Sequence, residues 1–287
     1  MDVQLPRTLV EALHWKASRP DAVPIAGGTD LMVDLNFDRS RPEAILDISR
    51  IPELLEWRRE DGAVFLGAGV TYARIMRELP ELTSLVEASR TIGSPQIRNR
   101  ATVGGNLGTA SPAGDALPVL AAYDASVVVS SERGTRELAW NEFLTGPKST
   151  AIEPDELILG SRWRAVRGPG SFSKIGTRNA MVISVAGLCL QLDEDTREVR
   201  VALGSVGPTI LRVGDAESFA AEAMERSGTW DDPAAPVGDE VLGGFAERVA
   251  AGAQPIDDVR GSEAYRRHAC GVLAKRSLSW ALGARRG

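Results

Sequence analysis

Apolar positions along the chain follow helical spacing in some stretches and strict alternation in others. Leu9, Val10, Leu13 and Ala17 fall on one helical stripe, and Thr8 followed by Glu11 sets a capping-box pattern ahead of it. A short strand over Val23–Ile25 runs into Ala26-Gly27-Gly28-Thr29-Asp30, where Thr29 or Asp30 can cap a short helix through Leu35. Residues 44–48 and 63–67 read as strands. Thr71 can cap a helix through Leu79, and a further helix covers roughly 81–92. Residues 94–115, rich in Gly, Asn, Ser and Pro, read as a long irregular stretch, and loops of that length are usually functional or disordered. Well-patterned segments frame this one, which favours function. A helix over 116–123 and strands over 125–130 and 156–163 follow.

The pattern changes after Gly168-Pro169-Gly170. Residues 184–192 and 198–206 read as neighbouring strands, with Val199, Val201 and Leu203 alternating as in a half-buried sheet. Helices are predicted over 215–226 and 241–250. A last helix begins at Ser262 and presents Tyr265, Ala269, Val272, Leu273 and Leu278. Strands and helices mix without regular β-α-β alternation, so the predicted class is α+β. The break near residue 168 divides the chain into 1–167 and 168–287.

Composition narrows the chemistry. The net charge of −6 over 287 residues argues against a duplex nucleic-acid binder. Arg98 and Arg100 form one local basic pair, and Arg266 with Arg267 reads as a solvated helix face. No apolar run approaches the ~18–20 residues of a membrane span, and Met1–Arg7 lacks the apolar region of a signal peptide, so a cytoplasmic location is expected. Cys189 and Cys270, in apolar segments, read as buried free thiols and are too few for an iron–sulfur cluster or a structural zinc site. His14 and His268 lie on predicted helices, with no catalytic triad or metal-ligand cluster around them. Redox chemistry in this chain would need a bound organic cofactor.

Two segments carry candidate chemistry: Ile25-Ala26-Gly27-Gly28-Thr29-Asp30-Leu31, and Ala101-Thr102-Val103-Gly104-Gly105-Asn106-Leu107-Gly108-Thr109-Ala110-Ser111. Paired glycines reach positive φ and leave no Cβ to hold a ligand away. Their N–H groups can converge on an anion, helped by a helix starting just after. Thr29, Thr102, Thr109 and Ser111 offer hydroxyls without formal charge. Neither loop matches the dinucleotide fingerprint or the P-loop. The pattern alone therefore leaves two readings open, a pair of tight turns or a seat for a diphosphate-containing ligand.

Together the loops resemble the FAD-binding medium subunits of the xanthine dehydrogenase and carbon monoxide dehydrogenase family of molybdenum hydroxylases. That family has an Ala-Gly-Gly-x-Asp/Ser-Leu loop near its N-terminus, matched here by Ala26–Leu31. Its second loop is matched by Ile97-Arg98-Asn99-Arg100-Ala101-Thr102-Val103-Gly104-Gly105-Asn106, continuing through Ser111-Pro112-Ala113-Gly114-Asp115. Leu66–Thr71, Phe172-Ser173-Lys174-Ile175 with Arg178, and Gly261–Arg266 extend the resemblance over essentially the whole chain. The aromatic-rich opening strand of the family is shortened here to Val3-Gln4-Leu5.

The resemblance implies an FAD-binding domain of the vanillyl-alcohol-oxidase (PCMH) type over 1–167, with subdomains of about 1–55 and 56–167. A C-terminal α+β domain of the CO dehydrogenase flavoprotein type would follow over 168–287. It implies FAD lying between these parts, its diphosphate on the two glycine loops. Ile25 to Leu31 would face the diphosphate, and Ala101, Thr102, Gly104, Gly105, Asn106, Gly108, Thr109 and Ser111 would continue the cradle. Asp115 would bond ribityl or ribose hydroxyls, Leu157 and Ile158 would form a wall, and Phe172 and Lys174 would lie near the isoalloxazine. No catalytic residue and no metal site is implied on this chain. Molybdenum–pterin and 2Fe–2S clusters are expected on a large and a small partner subunit, as a dimer of heterotrimers, with FAD relaying electrons. Carbon monoxide, purines, aldehydes and N-heterocycles are all oxidised within the family. NAD-using members carry an acidic run after the arginine that matches Arg178, whereas Asn179-Ala180-Met181-Val182 follow here. A stand-alone flavin oxidase of the same fold and a scaffold that has lost FAD are the alternatives.

Overall fold

The computed structural model describes residues 1–286, and the first apolar stripe forms the helix Leu9–Ser18. Thr8 caps it by accepting from Glu11 N at 3.2 Å. The Glu11 carboxylate reaches one residue further back than a capping box requires and accepts from Arg7 N at 2.8 Å. The chain builds two compact units that interleave in sequence. The first takes Met1–Leu79, Ile92–Ser111 and Asp124–Ala165, and the second takes Pro80–Thr91, Pro112–Tyr123 and Val166–Gly287.

The first unit holds a parallel sheet in the order Asp2–Gln4, Ala44–Asp47, Val23–Ile25. Parallel strands need long crossovers, and the helices Leu9–Ser18 and Leu31–Asn36 lie in them. Ala12, Leu46, Ile48, Ile51, Leu54 and Leu157 close a hydrophobic core. An antiparallel sheet runs in the order Trp57–Glu60, Ala63–Gly67, Leu157–Arg164, Ser126–Ser131, Gly134–Ala139. Its two edge strands escape the apolar pattern because they are mostly polar and solvent-facing. Charge on an edge strand discourages pairing with a further strand, at the expense of a readable alternation.

Residues 94–115 are not irregular throughout, and this corrects the sequence expectation. Pro95–Arg98 and Val103–Thr109 are helical, capped by Ser94 and Thr102, which accept from Ile97 N (3.3 Å) and Gly105 N (3.0 Å). The second helix contains Gly104, Gly105 and Gly108, so its intrinsic propensity is poor. Tertiary contact holds it instead. Val103 and Leu107 are buried, Val103 N donates to Val70 O (3.2 Å), and Gly104 N donates to Ala68 O (2.9 Å).

In the second unit an antiparallel sheet runs Gly170–Ile175, Ala186–Asp193, Glu198–Gly204, Leu211–Arg212. Ala186, Leu188, Leu190, Val201 and Leu203 face a core shared with the helices Gly214–Arg226, Asp239–Gly252 and Glu263–Ala284. The opposite face meets Thr83–Thr91 and Leu117–Ala122, two helices that precede the sheet in sequence. Arg266 is not on a solvated face. It is 3% exposed, and its Nη1 donates to Ser205 O (2.7 Å) while Nη2 pairs with Asp258. Arg267 is half-buried and donates to Ala253 O at 2.6 Å. Carbonyls left over at loop ends claim both guanidinium groups, a demand that helical spacing does not reveal. Among the described residues no helix is long and apolar enough to cross a membrane.

Glu78 ties the first unit together. It accepts from Arg74 Nη2 (2.8 Å), Arg77 Nη2 (2.6 Å) and the Trp57 indole (3.0 Å), and the Arg74 bond chiefly holds its carboxyl down at about 2. A depressed carboxyl stabilises the fold above its ordinary 4.5 and loses that contribution as pH falls towards about 2. Glu78→Gln is expected to lower stability by about 1 kcal/mol at neutral pH, the screened value for a partly exposed cluster. In urea titrations at stepped pH, the gap from the parent should close through that acid window.

Candidate functional site

The two glycine loops meet within the first unit, and glycine is what allows it. A Cβ on Gly27 would overlap the carbonyl oxygen of Arg100, and one on Gly104 would overlap Ala68. Gly28 sits at φ +74°, which side chains rarely adopt. Thr109 Oγ1 donates to Asp30 Oδ2 at 2.6 Å across the two loops.

Gly105 and Gly108 serve differently. Both are exposed one turn apart on the helix Val103–Thr109. A Cβ on Gly105 would meet only Thr102 Oγ1, at 3.2 Å, and one on Gly108 only Ile158 Cδ1, at 3.6 Å. They leave an open, side-chain-free strip beside Ile158. Leu157 points into the core. Asn106 accepts from the Tyr72 hydroxyl at 3.1 Å.

The loops also differ in free donors. The N–H groups of Val103, Gly104, Gly105 and Asn106 are all satisfied internally, by Val70 O, Ala68 O, Thr102 Oγ1 and Thr102 O. The second loop is a packed helix and offers no nest of N–H groups there. In the first loop, the N–H groups of Gly27, Gly28, Thr29, Asp30 and Leu31 find no acceptor among the described residues. Ile25 and Ala26, at the end of the strand Val23–Ile25, lead into this run, with Ala26 packed on the core. Consecutive unpaired N–H groups in partly exposed backbone are the physical requirement for holding an anion. Ala101 is buried beneath, its carbonyl accepting from Tyr72 N at 3.2 Å, and Ser111 is half-buried.

Asp115, Phe172 and Lys174 belong to the second unit. Lys174 Nζ donates to Asp115 Oδ2 (2.6 Å) and to Thr91 O (3.2 Å), and the Thr91 hydroxyl donates to the same carboxylate oxygen (2.9 Å). Both charged side chains are under a tenth exposed. Burial pushes the Asp115 carboxyl up, and the Lys174 ammonium opposes that shift. Among the described residues Asp115 Oδ1 and one Lys174 proton have no partner, so the pair can still accept one hydroxyl and donate once. Phe172 is buried, and its N–H donates to the Glu87 carboxylate at 2.7 Å.

Thr91, Glu87, Tyr72 and Ala68 all support these residues, and sequence reasoning missed each of them. Thr91 and Glu87 sit on the helix Thr83–Thr91, whose spacing does not say that one face meets a strand more than eighty residues later. Ala68 had one signal, its place in the Leu66–Thr71 segment already singled out. Of the basic pair, Arg98 donates to Ile92 O and Gly93 O, both at 3.0 Å, and Arg100 is exposed with Nε 3.5 Å from Gly27 O. Cys189 and Cys270 are buried and free, their thiols pushed up to about 12 by burial. Among the described residues no cluster of His, Cys, Asp and Glu could hold a metal.

Comparison with known proteins agrees over the whole length. The family described as the FAD binding domain in molybdopterin dehydrogenase matches residues 1–161, and the CO dehydrogenase flavoprotein C-terminal domain matches 172–281. The chain is 30% identical to the xanthine dehydrogenase FAD-binding subunit of Escherichia coli O157:H7, over 96% of this chain and 94% of that one. It is 32% identical to the 6-hydroxypseudooxynicotine dehydrogenase complex subunit alpha of Paenarthrobacter nicotinovorans, over 91% and 87%. The solved carbon monoxide dehydrogenase of Hydrogenophaga pseudoflava superposes with a TM-score of 0.85 at 26% identity, covering 99% of this chain and 98% of that one. The α+β fold and the two matched domains, read with these relatives, place the chain in the FAD-binding medium-subunit family of molybdenum hydroxylases, a family of oxidoreductase flavoproteins.

Proposed function

We propose that this chain binds FAD and serves as the electron-relay subunit of a heteromeric molybdenum hydroxylase. The observation that carries the reading is the run of unpartnered N–H groups from Gly27 to Leu31 beside the side-chain-free strip of Gly105 and Gly108. These residues suit a diphosphate. The N–H groups supply donors, the glycines supply room, and no lysine is needed. Ile25, Ala26, Ala101, Thr102, Gly104, Asn106 and Leu157 shape this cradle from beneath, while Thr29, Thr109, Ser111 and Ile158 border it. In the second unit, Asp115 has a spare acceptor for a ribityl or ribose hydroxyl, and Lys174 has a spare donor for a flavin carbonyl. Phe172, on the same strand Gly170–Ile175, would lie near the flavin ring.

Bound FAD would supply the redox chemistry, taking electrons from 2Fe–2S clusters on a small subunit and delivering them to an external acceptor. The chain's own residues bind and orient it, and none acts as acid or base on an organic substrate. A large molybdenum–pterin subunit would complete the assembly, as a dimer of heterotrimers. Arg178 is followed by an exposed loop without a carboxylate, and its Nε donates to Met181 O at 3.1 Å, which favours an acceptor other than NAD.

The native complex is expected to be yellow, with flavin bands near ~370 and ~450 nm. A colourless chain that takes up no added FAD would overturn the proposal. Gly105→Val should abolish flavin binding while leaving the melting temperature near that of the parent apo-chain, because the new side chain meets only the Thr102 hydroxyl, at 3.2 Å, and no backbone. Gly104→Val should instead destabilise the fold, through overlap with Ala68.

Lys174→Met would leave Asp115 buried without its cation, at a cost of about 3–5 kcal/mol. The bare carboxyl is then raised further. A raised carboxyl is best tolerated below its unfolded value, and that tolerance is lost as pH rises through its folded value. The deficit of Lys174→Met should therefore be larger in chemical denaturation at pH 8 than at pH 5, and Asp115→Asn in the same chain should remove this pH dependence.

A further inference from the structure

Thr91 closes the helix Thr83–Thr91 and touches both charged members of the buried pair, all within the second unit. Its carbonyl accepts from Lys174 Nζ at 3.2 Å, and its Oγ1 stands 2.9 Å from Asp115 Oδ2. The same Oγ1 stands 2.8 Å from the carbonyl of Ala88, one turn back. A hydroxyl has one proton to give, and here two acceptors face it. While Asp115 is ionised, that proton lies towards Oδ2, since two bare oxygens so close would repel each other. Once Asp115 is neutral, the order reverses. Oδ2–H donates to Thr91 Oγ1, and the Thr91 proton turns to Ala88 O. Every group keeps a partner in both states.

From this arrangement we infer that Thr91 is a positioning residue, a two-way hydrogen-bond partner that keeps the proton of a neutral Asp115 on Oδ2 and so leaves Oδ1 an acceptor in both charge states. The inference deepens the FAD reading and rests on it, because Oδ1 is the spare acceptor offered there to a ribityl or ribose hydroxyl. Burial pushes this carboxyl up, which moves its neutral form towards neutral pH. Lys174 is the charge that faces it. On the elements packed around, Glu87 accepts from Phe172 N, Arg90 is exposed, Arg212 pairs with Glu217, and Arg266 pairs with Asp258. Burial pushes Cys189 and Tyr123 up as well, so both stay neutral. Without the Thr91 hydroxyl, a proton on Oδ2 has no inward acceptor, and Lys174 still donates to that oxygen. The proton then settles on Oδ1 and turns the acceptor into a donor.

The test reads the dissociation constant for FAD on the full-length apo-chain, from flavin fluorescence, between pH 5 and pH 8, with the melting temperature as folding control. The parent and Thr91→Ser keep the hydroxyl, and their affinities should stay within about threefold across the range, less than one hydrogen bond is worth. Thr91→Val loses the bond to the charged carboxylate, which raises the carboxyl further. Its binding holds above the folded value of that carboxyl and is lost as pH falls through it. Affinity should therefore weaken by about tenfold from pH 8 to pH 5, the scale of one hydrogen bond to a charged group. A merely structural threonine would lower affinity equally at every pH. Adding Asp115→Asn to Thr91→Val removes the titrating group and should flatten the profile. Thr91→Ala provides a second hydroxyl-free variant should valine melt below the assay temperature. A flat profile in the hydroxyl-free variants, or Thr91→Ser falling with acid as they do, would overturn the two-way switch and leave the FAD reading in place. A parent chain that binds no FAD at any pH would remove both.

Discussion

The first unit depends on two places where backbone lies against backbone with no side chain between. Gly27 rests on the Arg100 carbonyl and Gly104 rests on Ala68. These approaches set the spacing of the two loops, and the rest follows from that spacing. Because Gly104 is pressed down, its N–H reaches Ala68 O and the helix Val103–Thr109 is satisfied from below. Because that helix is anchored on one side, Gly105 and Gly108 on the other can stay bare without loosening it. Gly27 and Gly104 therefore secure the fold, and Gly105 and Gly108 keep a surface clear. Consecutive glycines in one sequence thus carry opposite physical duties.

The second unit works by another principle. Its polar centre is a buried ion pair that is only partly satisfied, with Asp115 facing both Lys174 and Thr91. Desolvation of both groups nearly cancels what their attraction gains, so such a pair is weak support for a fold. Its value lies in the oriented acceptor and donor it leaves over. The first unit offers neutral donors on backbone, which suit a delocalised anion, whereas the second offers a charged pair that suits hydroxyl and carbonyl groups.

Much of this was legible in the sequence, and the limits have physical causes. Helices with one buried face, such as Leu9–Ser18 and Glu263–Ala284, announced themselves because burial imposes a period. The edge strands Trp57–Glu60 and Gly134–Ala139 did not, since water faces most of their residues and no period is imposed. The helix Val103–Thr109 was hidden because its glycines speak against a helix, and only contact with Ala68 and Val70 reverses that preference. The glycine loops were readable as motifs, but their division of labour was not. Nothing in Gly104-Gly105 says which Cα faces protein and which faces solvent.

The interleaving of the units has the same origin. The sheet that begins at Gly170 needs cover on both faces, and the C-terminal helices cover only the face bearing Leu188, Leu190 and Val201. The other face carries Gly187, Cys189 and Gln191, which are buried as well. The helices Thr83–Thr91 and Leu117–Ala122 supply the missing layer, although they arise on either side of the glycine helix. That excursion brings Thr91 and Asp115 to Lys174, so the buried pair exists because the sheet had a second face to cover. The chain segments that flank the second glycine loop on both sides are thus committed to the other unit.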